Sequence, residues 1–412
     1  MNKSSTIYKT HKMHLFITKL TVKKINMLLL FCFMSTVLSC SSENYIKTEP
    51  SMLVTDYEES LFLRRIWREV IDTDDKYQTI NLSPAVTDNR VFLATKNGKI
   101  IAIDENNFFV WEKQLNLKVT SGIQHNDDLI TFGSSDGDVV VLDATDGKII
   151  WQNKVLSQIN VNPMFMGEKL IVKGGDNSIS AFDIDDGTLL WEQKFNLPPL
   201  SLKGQSEMLS ISTYIIVGLD NGKIAILDEK DGRVLLKKQL HSIYADNVVS
   251  RLNDINSDIL LIGRDIVAAS YQGIVTRISL NNFKTKWINN ISTFNSFVYD
   301  GVTIFIFDEN DVLKALSPET GKVLWENKSL KNRNLSQPTL IGDNLLVADA
   351  FGFIHLLDSR NGRTISQVQY GAMPLSGKIT IKDNRAYVQS ANGEYHNLVV
   401  VKKQNRNFIH FK

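Results

Sequence analysis

Hydrophobic and polar positions alternate along most of this chain in short stretches, and these stretches recur about every forty residues. Each unit begins with Gly, Asn or Asp, contains a polar turn that usually includes Gly, and ends with a bulky residue, most often Trp. The seven units are residues 98–111, 137–151, 177–191, 222–236, 273–287, 311–325 and 352–366. Leu236 and Ser366 stand in place of the terminal Trp in two of them. A period of this length is typical of a repeat architecture.

Inside a unit the hydrophobic period is two, which indicates strands rather than helices. In the second unit the pattern predicts strands at about 119–124, 129–134, 138–143 and 148–154, and the turns between them contain the Gly that tight hairpins need. One such sheet cannot bury both of its faces, and no helical pattern is long enough to cover them. The sheets must therefore pack on one another around an axis, so the sequence predicts an all-β fold, a β-propeller of four-stranded antiparallel blades.

An eighth unit at the C-terminus supplies only three strands, at 377–381, 385–390 and 394–401. Residues 63–70, around Trp67, have the sequence of a missing outer strand but no preceding strands to pair with. We therefore expect this N-terminal strand to pair with the third strand of the last unit. The result is an eight-bladed β-propeller that the N-terminal strand closes, without an open edge between first and last blades.

The spacing between equivalent Trp positions identifies two insertions. It is 40 residues from Trp111 to Trp151 and again to Trp191, then 45 to Leu236 and 51 to Trp287. The extra residues fall in the connections that follow the third and fourth blades. Because strands alternate in direction, all blade-to-blade connections emerge on one face, and we expect these two to form one candidate surface. The Trp residues themselves are expected to be packing wedges between blades.

The first forty residues have the pattern of an export signal. Lys19, Lys23 and Lys24 precede an apolar run at 27–38, which is too short to span a membrane. The run ends in Leu38-Ser39-Cys40, which resembles the lipobox of bacterial lipoprotein signal peptides. That resemblance implies cleavage before Cys40 and a lipid on its sulfur; an ordinary signal or an uncleaved anchor is the alternative. The predicted organisation is a signal peptide at 1–39, a lipidated tether at 40–60 and the propeller at 61–412.

Composition and charge exclude several classes of protein. Only Cys32 and Cys40 are present among 412 residues, so a disulfide framework is excluded, and a hydrophobic fraction of 43% excludes general disorder. Without the six lysines of residues 1–39 the net charge is −5, and the body therefore lacks the basic surface that nucleic-acid binding requires. The sequence predicts no nucleic-acid partner.

The repeat, in which Trp follows Gly in the fourth strand, resembles the pyrroloquinoline-quinone type of propeller blade. Together with the lipobox and eight units, it resembles the BamB family of lipoproteins in the outer-membrane β-barrel assembly machinery. The resemblance implies a non-enzymatic protein on the periplasmic face of the outer membrane, without a cofactor. Its implied partners are the periplasmic domains of BamA, the other BAM components indirectly, and strands of unfolded outer-membrane proteins.

The same resemblance implies a set of BamA-binding residues in the two inserted connections. Leu200 and Leu202 are the implied apolar anchors, and Lys203 stands where the family has a basic residue. Asp254 stands where the family has an acidic residue, whereas Asn256 departs from a second acid. The alternative is that Leu200 and Leu202 only seal the end of the propeller.

Two other functions remain open from the residues alone. A quinoprotein dehydrogenase shares the repeat, but its alcohol-oxidising members need adjacent cysteines, which this chain lacks, and a calcium site. His125, His241, His355, His396 and His410 show no metal-ligand spacing, and no nucleophile-elbow or P-loop motif occurs. A propeller that binds another periplasmic protein or a cell-wall ligand is the second alternative.

Overall fold

The repeating units fold as predicted into four-stranded sheets, each from consecutive strands joined by short turns. The computed structural model describes residues 49–71, 82–199, 201, 205–240, 254–271, 273–371, 375–390 and 393–403. All helices and strands assigned in these ranges are β-strands. The ranges include no helix with the length and hydrophobicity that crossing a bilayer requires.

The first four blades follow one another along the chain. Blade 1 consists of β2 (Ala85–Val86), β3 (Arg90–Ala94), β4 (Lys99–Asp104) and β5 (Phe109–Gln114). Blade 2 consists of β6 (Gln124–His125), β7 (Leu129–Gly133), β8 (Asp138–Asp143) and β9 (Ile149–Lys154). Blade 3 consists of β10 (Met164–Met166), β11 (Lys169–Lys173), β12 (Ile179–Asp183) and β13 (Leu189–Gln193). Blade 4 consists of β14 (Leu209–Ile211), β15 (Tyr214–Gly218), β16 (Lys223–Asp228) and β17 (Val234–Gln239).

Blades 5 to 8 complete the set. Blade 5 consists of β18 (Leu260–Ile262), β19 (Asp265–Ala269), β20 (Val275–Ser279) and β21 (Thr285–Asn289). Blade 6 consists of β22 (Val298–Tyr299), β23 (Ile304–Phe307), β24 (Leu313–Leu316) and β25 (Val323–Asn327). Blade 7 consists of β26 (Thr339–Ile341), β27 (Asn344–Ala348), β28 (Phe353–Asp358) and β29 (Thr364–Gln369). Blade 8 consists of β30 (Leu375–Lys382), β31 (Arg385–Ser390), β32 (Glu394–Lys402) and the N-terminal β1 (Leu61–Val70).

The predicted closure of the ring is confirmed. Strand β1 pairs antiparallel with β32, and Trp67 lies opposite Asn397. The Trp67 ring meets that of Tyr395 edge-on with centroids 5.3 Å apart. One detail of the prediction is wrong: the inner strand of the second unit is only Gln124–His125, and Val119 makes an isolated bridge to Ser134. The inner strands of blades 1 to 7 have only two or three residues each.

Eight hydrophobic clusters hold the blades together, one at each joint between neighbours. Seven of them join consecutive blades from 1 to 8. The eighth packs Leu93 and Ile101 of blade 1 against Tyr387 and Tyr395 of blade 8. A cluster at every joint, including this last one, makes the arrangement an eight-bladed ring and confirms the predicted fold.

The predicted Trp wedges occur between blades and pair with turn glycines. At the joint of blades 2 and 3, the indole N–H of Trp151 donates a hydrogen bond to the Ile184 carbonyl at 2.7 Å. Gly187, with φ of 75°, lies against the same ring, and a Cβ there would be 2.6 Å from the indole. The unit therefore needs Gly at this position both for its left-handed backbone and for the close approach of the neighbouring Trp.

Residues 51–60, which the sequence assigned to the tether, pack against the connection between blades 6 and 7 and along the outer strand of blade 7. Ser51 donates a hydrogen bond through its Oγ to the Ser329 carbonyl at 2.7 Å. Further along, Gln367 donates to the Val54 carbonyl at 2.6 Å and Ser366 to Glu59 at 3.3 Å. We call residues 51–60 the rim segment. Polar side chains without a hydrophobic period concealed this packing, because backbone carbonyls make much of the contact.

Candidate functional site

The two inserted connections lie on the face where all blade-to-blade connections emerge. They are residues 194–208, between β13 and β14, and residues 240–259, between β17 and β18. The corresponding connections of blades 1, 2 and 5 are residues 115–123, 155–163 and 290–297. The two longer connections therefore contain residues in addition to those required to join neighbouring blades.

A buried polar contact joins the two connections. Ser201, in the first connection, has its Oγ 2.9 Å from Asp254 Oδ2 in the second connection. The same Oγ is 2.7 Å from Oδ2 of Asp220, which belongs to the turn between β15 and β16. Asp254 is fully buried and Asp220 is 3% exposed. The expectation that the two insertions lie side by side is confirmed by this contact, which is the centre of the candidate site.

A buried lysine lies next to the site and contacts the end of the first connection. Lys173, the last residue of β11, is 2% exposed, and its Nζ donates to the Gly218 carbonyl at 2.8 Å. Its Nζ also lies 3.4 Å from the carbonyl of Ser206, at the end of the first connection. Burial lowers the pKa of Lys173 from its usual value, whereas the charges of Asp220, Asp258 and Asp254 oppose that shift. The cation thus sits among the acids that hold the connections, where it offsets part of their mutual repulsion.

The structure describes only one of the predicted contact residues. Cys40, Leu200, Leu202 and Lys203 lie outside the described residues, so their roles stay predictions. Asp254 belongs to the site, but its complete burial directs it toward Ser201 and away from solvent. In this structure Asp254 contacts the first connection through Ser201, and its role in binding a partner stays a prediction.

Sequence reasoning missed Leu197 as a residue of this surface. Leu197 lies in the first connection and is 48% exposed. It directly precedes the Pro198-Pro199 pair, which restricts the backbone and so reduces the entropy cost of presenting an apolar side chain. The signal that would have found it is an apolar residue beside two prolines in an inserted connection.

The described part of the chain contains no cluster of three or more His, Cys, Asp or Glu side chains that could hold a metal ion. The polar groups of the site are instead paired with one another and with backbone carbonyls. Chemically, this arrangement can fix the shape of two neighbouring loops, which is what a protein-docking surface requires.

The comparison with protein families gives one match along nearly the whole propeller. A family model described as "Outer membrane protein assembly factor BamB" matches residues 64–147, 109–327 and 309–400. A protein of that name from Shewanella oneidensis is 24% identical over 372 residues, which cover 87% of this chain and 94% of the relative.

Solved structures agree with the fold. The crystal structure of BamB from Moraxella catarrhalis matches with a TM-score of 0.75 at 24% identity, covering 82% of this chain and 99% of that chain. The quinohemoprotein alcohol dehydrogenase from Comamonas testosteroni matches with a TM-score of 0.65 at 13% identity, covering 82% of this chain and 76% of that chain. At these identities the likeness shows the propeller fold alone, since this fold hosts both assembly factors and dehydrogenases.

Proposed function

The chain belongs to the family of outer membrane protein assembly factor BamB, and from that membership we propose that it is a non-enzymatic scaffold lipoprotein of the BAM complex. In this proposal it docks on the periplasmic domains of BamA and assists the assembly and insertion of β-barrel proteins in the outer membrane. The observation that carries the proposal is the family match, which runs from β1 to the last blade. No cysteine follows Cys40, which also disfavours an alcohol-oxidising quinoprotein.

The docking surface is proposed to comprise both inserted connections. Leu200 and Leu202 supply apolar contact area, and Lys203 supplies a charge that fixes orientation. Leu197, half-exposed on the same connection, adds to the apolar area. Asp254 contributes indirectly, because it holds Ser201, the residue between the two leucines.

The rim segment begins on the same face as the proposed docking surface. Ser51 of the rim segment bonds to the connection between blades 6 and 7, which emerges on that face. If Cys40 carries the lipid, the chain from Cys40 to Pro50 reaches at most about 33 Å. The propeller would then stay close to the inner leaflet of the outer membrane, where the periplasmic domains of BamA extend.

Mass spectrometry of the mature N-terminus tests the anchor. A diacylated or triacylated Cys40 as the first residue is expected, and Cys40→Ser should move the protein from the membrane fraction to the soluble periplasm. An unmodified cysteine, or a retained N-terminal signal, would reject the anchor without affecting the proposed docking surface.

Recovery of BamA with the folded chain tests docking. The variant Leu200→Ala, Leu202→Ala, Lys203→Glu is expected to recover less than about a tenth of the BamA that the wild type recovers, because a few central residues dominate most interfaces. Leu156→Ala is the matched control, since Leu156 is 83% exposed in the connection between blades 2 and 3 on the same face. Equal recovery by all three proteins would remove the site assignment. Failure of the wild type to recover BamA would reject the function.

Transient capture of client strands is a second candidate function, which the bare outer edges of blades 2 and 3 favour. Ile149 and Ile150 of β9 are 42% and 44% exposed, and Leu189 and Leu190 of β13 are 50% and 45% exposed. An outer strand with exposed apolar side chains can add an extended peptide by backbone pairing. Cross-links between β9 and peptides from barrel strands are expected, whereas cross-links that form equally with blade 7 would argue against edge pairing.

A further inference from the structure

Eight equivalent positions lie at the inner strands of the blades, around the axis of the ring. In blades 1 to 7 the first paired residue of the inner strand lies opposite the residue seven positions later, for example Leu209 opposite Ile216. In blade 8 the first pair with this spacing is Thr380 opposite Tyr387, after the pairs Leu375–Ser390 and Ser376–Gln389. The residue two positions before the first residue of the seven-spaced pairs is the equivalent position of each blade. These positions, which we call the channel ring, are Ser83, Gly122, Asn162, Glu207, Asp258, Ser296, Gln337 and Lys378.

Contacts run around part of the channel ring. Asn162 donates to Glu207 Oε1 at 3.0 Å, the backbone N–H of Glu207 donates to Asp258 Oδ1 at 2.9 Å, and the backbone N–H of Asp258 donates to Ser296 at 2.8 Å. Charged side chains occur in the ring only in blades 4, 5 and 8. Each of the two carboxylates thus accepts a hydrogen bond from another residue of the channel ring, in addition to its contact with a cation.

Lys378 contacts both acids from the other side of the ring. Its Nζ is 2.8 Å from Glu207 Oε1 and 2.6 Å from Asp258 Oδ2. In a ring of eight, blade 8 lies opposite blade 4, so these ion pairs cross the channel. The three side chains are 21%, 31% and 25% exposed, which means that the pairs are only partly accessible to the water that would screen them.

Strand β30 has an irregular register around Lys378. Between the pairs Ser376–Gln389 and Thr380–Tyr387 the register shifts, so that three residues of β30, with Lys378 in the middle, face one residue of β31. The inner strands of the other seven blades pair with their neighbours without a register shift. Bulges redirect side chains, and this one lies at the residue that crosses the channel.

The charged states of Glu207, Asp258 and Lys378 depend on one another. Burial raises the pKa of Glu207 and Asp258 adds to that increase, while Lys378 opposes both. Burial acts to lower the pKa of Lys378, but Asp258 and Glu207 outweigh it, so the pKa lies above its usual value. Removing the lysine would leave two neighbouring, partly buried carboxylates without their shared cation, which is strongly unfavourable.

Glu207 and Asp258 also belong to the docking surface, because each lies at the C-terminal end of one inserted connection. We call these two ends the roots of the connections. Glu207 lies at the end of the connection 194–208, and Asp258 lies at the end of the connection 240–259. We propose that Lys378 is a positioning residue for partner docking: through its two ion pairs across the channel it holds the roots of both inserted connections at one spacing. This inference rests on the proposed function for its biological meaning, but the coupling between blade 8 and blades 4 and 5 can be measured without a partner.

Hydrogen exchange of the free, full-length mature protein tests the coupling. In Lys378→Met, amides at 205–211 and 254–262 are expected to exchange faster than in the wild type, although they lie three and four blades from the substitution. Lys378→Arg should restore protection, since a guanidinium can pair with both acids. Lys382→Met is the matched control, because Lys382 lies on the same strand and pairs with exposed Asp88 instead.

BamA binding by the same variants tests the consequence. The affinity of Lys378→Met is expected to fall about five- to tenfold, a typical coupling between separated sites, with recovery in Lys378→Arg and no change in Lys382→Met. Faster exchange confined to blade 8, or unchanged exchange at both roots, would overturn the inference. Faster exchange at the roots with unchanged BamA affinity would also overturn it. If the wild type does not bind BamA, the proposed function fails, and the exchange result alone decides whether Lys378 holds the roots.

Discussion

The joint between blades 2 and 3 and the joint between blades 7 and 8 are packed differently at the position where most units have Trp. In the first, which we call the wedged joint, Trp151 packs on Gly187 of the next blade. In the second, the strapped joint, Ser366 takes the Trp position and contacts Glu59 of the rim segment. The outer strand β9 of blade 2 is largely exposed, whereas Ser366 in β29 is fully buried.

The difference follows from where the chain begins and ends within the ring. The Trp of each ordinary joint packs on the turn between the third and outer strands of the next blade. Blade 8 has no such turn, because its outer strand comes from the N-terminus, and the Lys403 N–H donates instead to the Ser60 carbonyl at 3.0 Å. A Trp at position 366 would have no turn glycine to pack on, so a small residue there leaves room for the rim segment.

Removing the wedge is expected to have the largest effect. Trp151→Ala should lower the free energy of unfolding by about 3 to 5 kcal/mol, because a large buried ring and its hydrogen bond to Ile184 are lost. Urea denaturation measures this loss, and Ile150→Ala, at an exposed neighbouring position, is the matched control with an expected change below about 1 kcal/mol. Similar losses in the two variants would show that Trp151 is not a wedge.

Acidification is expected to weaken the strapped joint. His396 of β32 is fully buried near Tyr370, with Glu394 and the charges of Arg65 and Arg68 around it. Burial lowers the pKa of His396 to about 4, against an ordinary value of 6.5. Its stabilising contribution is therefore complete above pH 6.5 and is lost as the pH falls through 4, because the unfolded chain takes up the proton first. The total is up to about 3 kcal/mol.

Denaturation curves between pH 7 and 4 check this contribution. The variant His396→Gln is expected to lose less stability than the wild type over that interval, although it starts from a lower value. Parallel pH dependences of the two proteins would show that His396 is not the group responsible.

Restoring the repeat at the strapped joint is expected to destabilise the protein. Ser366→Trp places a large ring in a fully buried site that the rim segment occupies, and such overpacking costs about 1 to 3 kcal/mol. The same substitution should also release residues 51–60 to proteases. A gain in stability would show that blade 8 offers a surface for the ring, and the distinction between the two joints would then be wrong.

The blade count, the closing strand and the Trp wedges could be predicted because they follow from local patterns with a fixed period. Period-two alternation defines strands, and a Trp-bearing segment without partners at one end of the chain matches a blade that lacks an outer strand at the other end. The residue pattern also contained an unused signal: neither unit without a terminal Trp is followed by a blade with a turn Gly, since blade 8 has no turn between its third and outer strands. In blade 5, which follows the unit that ends in Leu236, Phe283 replaces that Gly at φ of 57°.

The rim segment and the channel ring could not be predicted from the sequence. Residues 51–60 bind through hydrogen bonds that join Gln367 to a backbone carbonyl and Ser366 to Glu59, which leave no periodic signal. Lys378 meets Glu207 and Asp258 only because the ring brings blade 8 opposite blades 4 and 5. Likewise, the contact between Asp254 and Ser201 joins two connections that are 53 residues apart in the sequence, and no local pattern indicates it.

The smallest expected effect concerns the single hydrogen bond between Ser366 and the rim segment. Ser366→Ala should cost under about 1 kcal/mol of unfolding free energy, because the bond to Glu59 is 3.3 Å long and partly solvated. Limited proteolysis is the more sensitive measurement, with cleavage within residues 51–60 expected to become a few times faster since local opening controls it. Ser359→Ala is the matched control: it removes a bond to the Asp343 carbonyl in the same blade, away from the rim segment. Equal acceleration in both variants would mean that blade 7 loosens as a whole and that Ser366 does not hold the rim segment specifically.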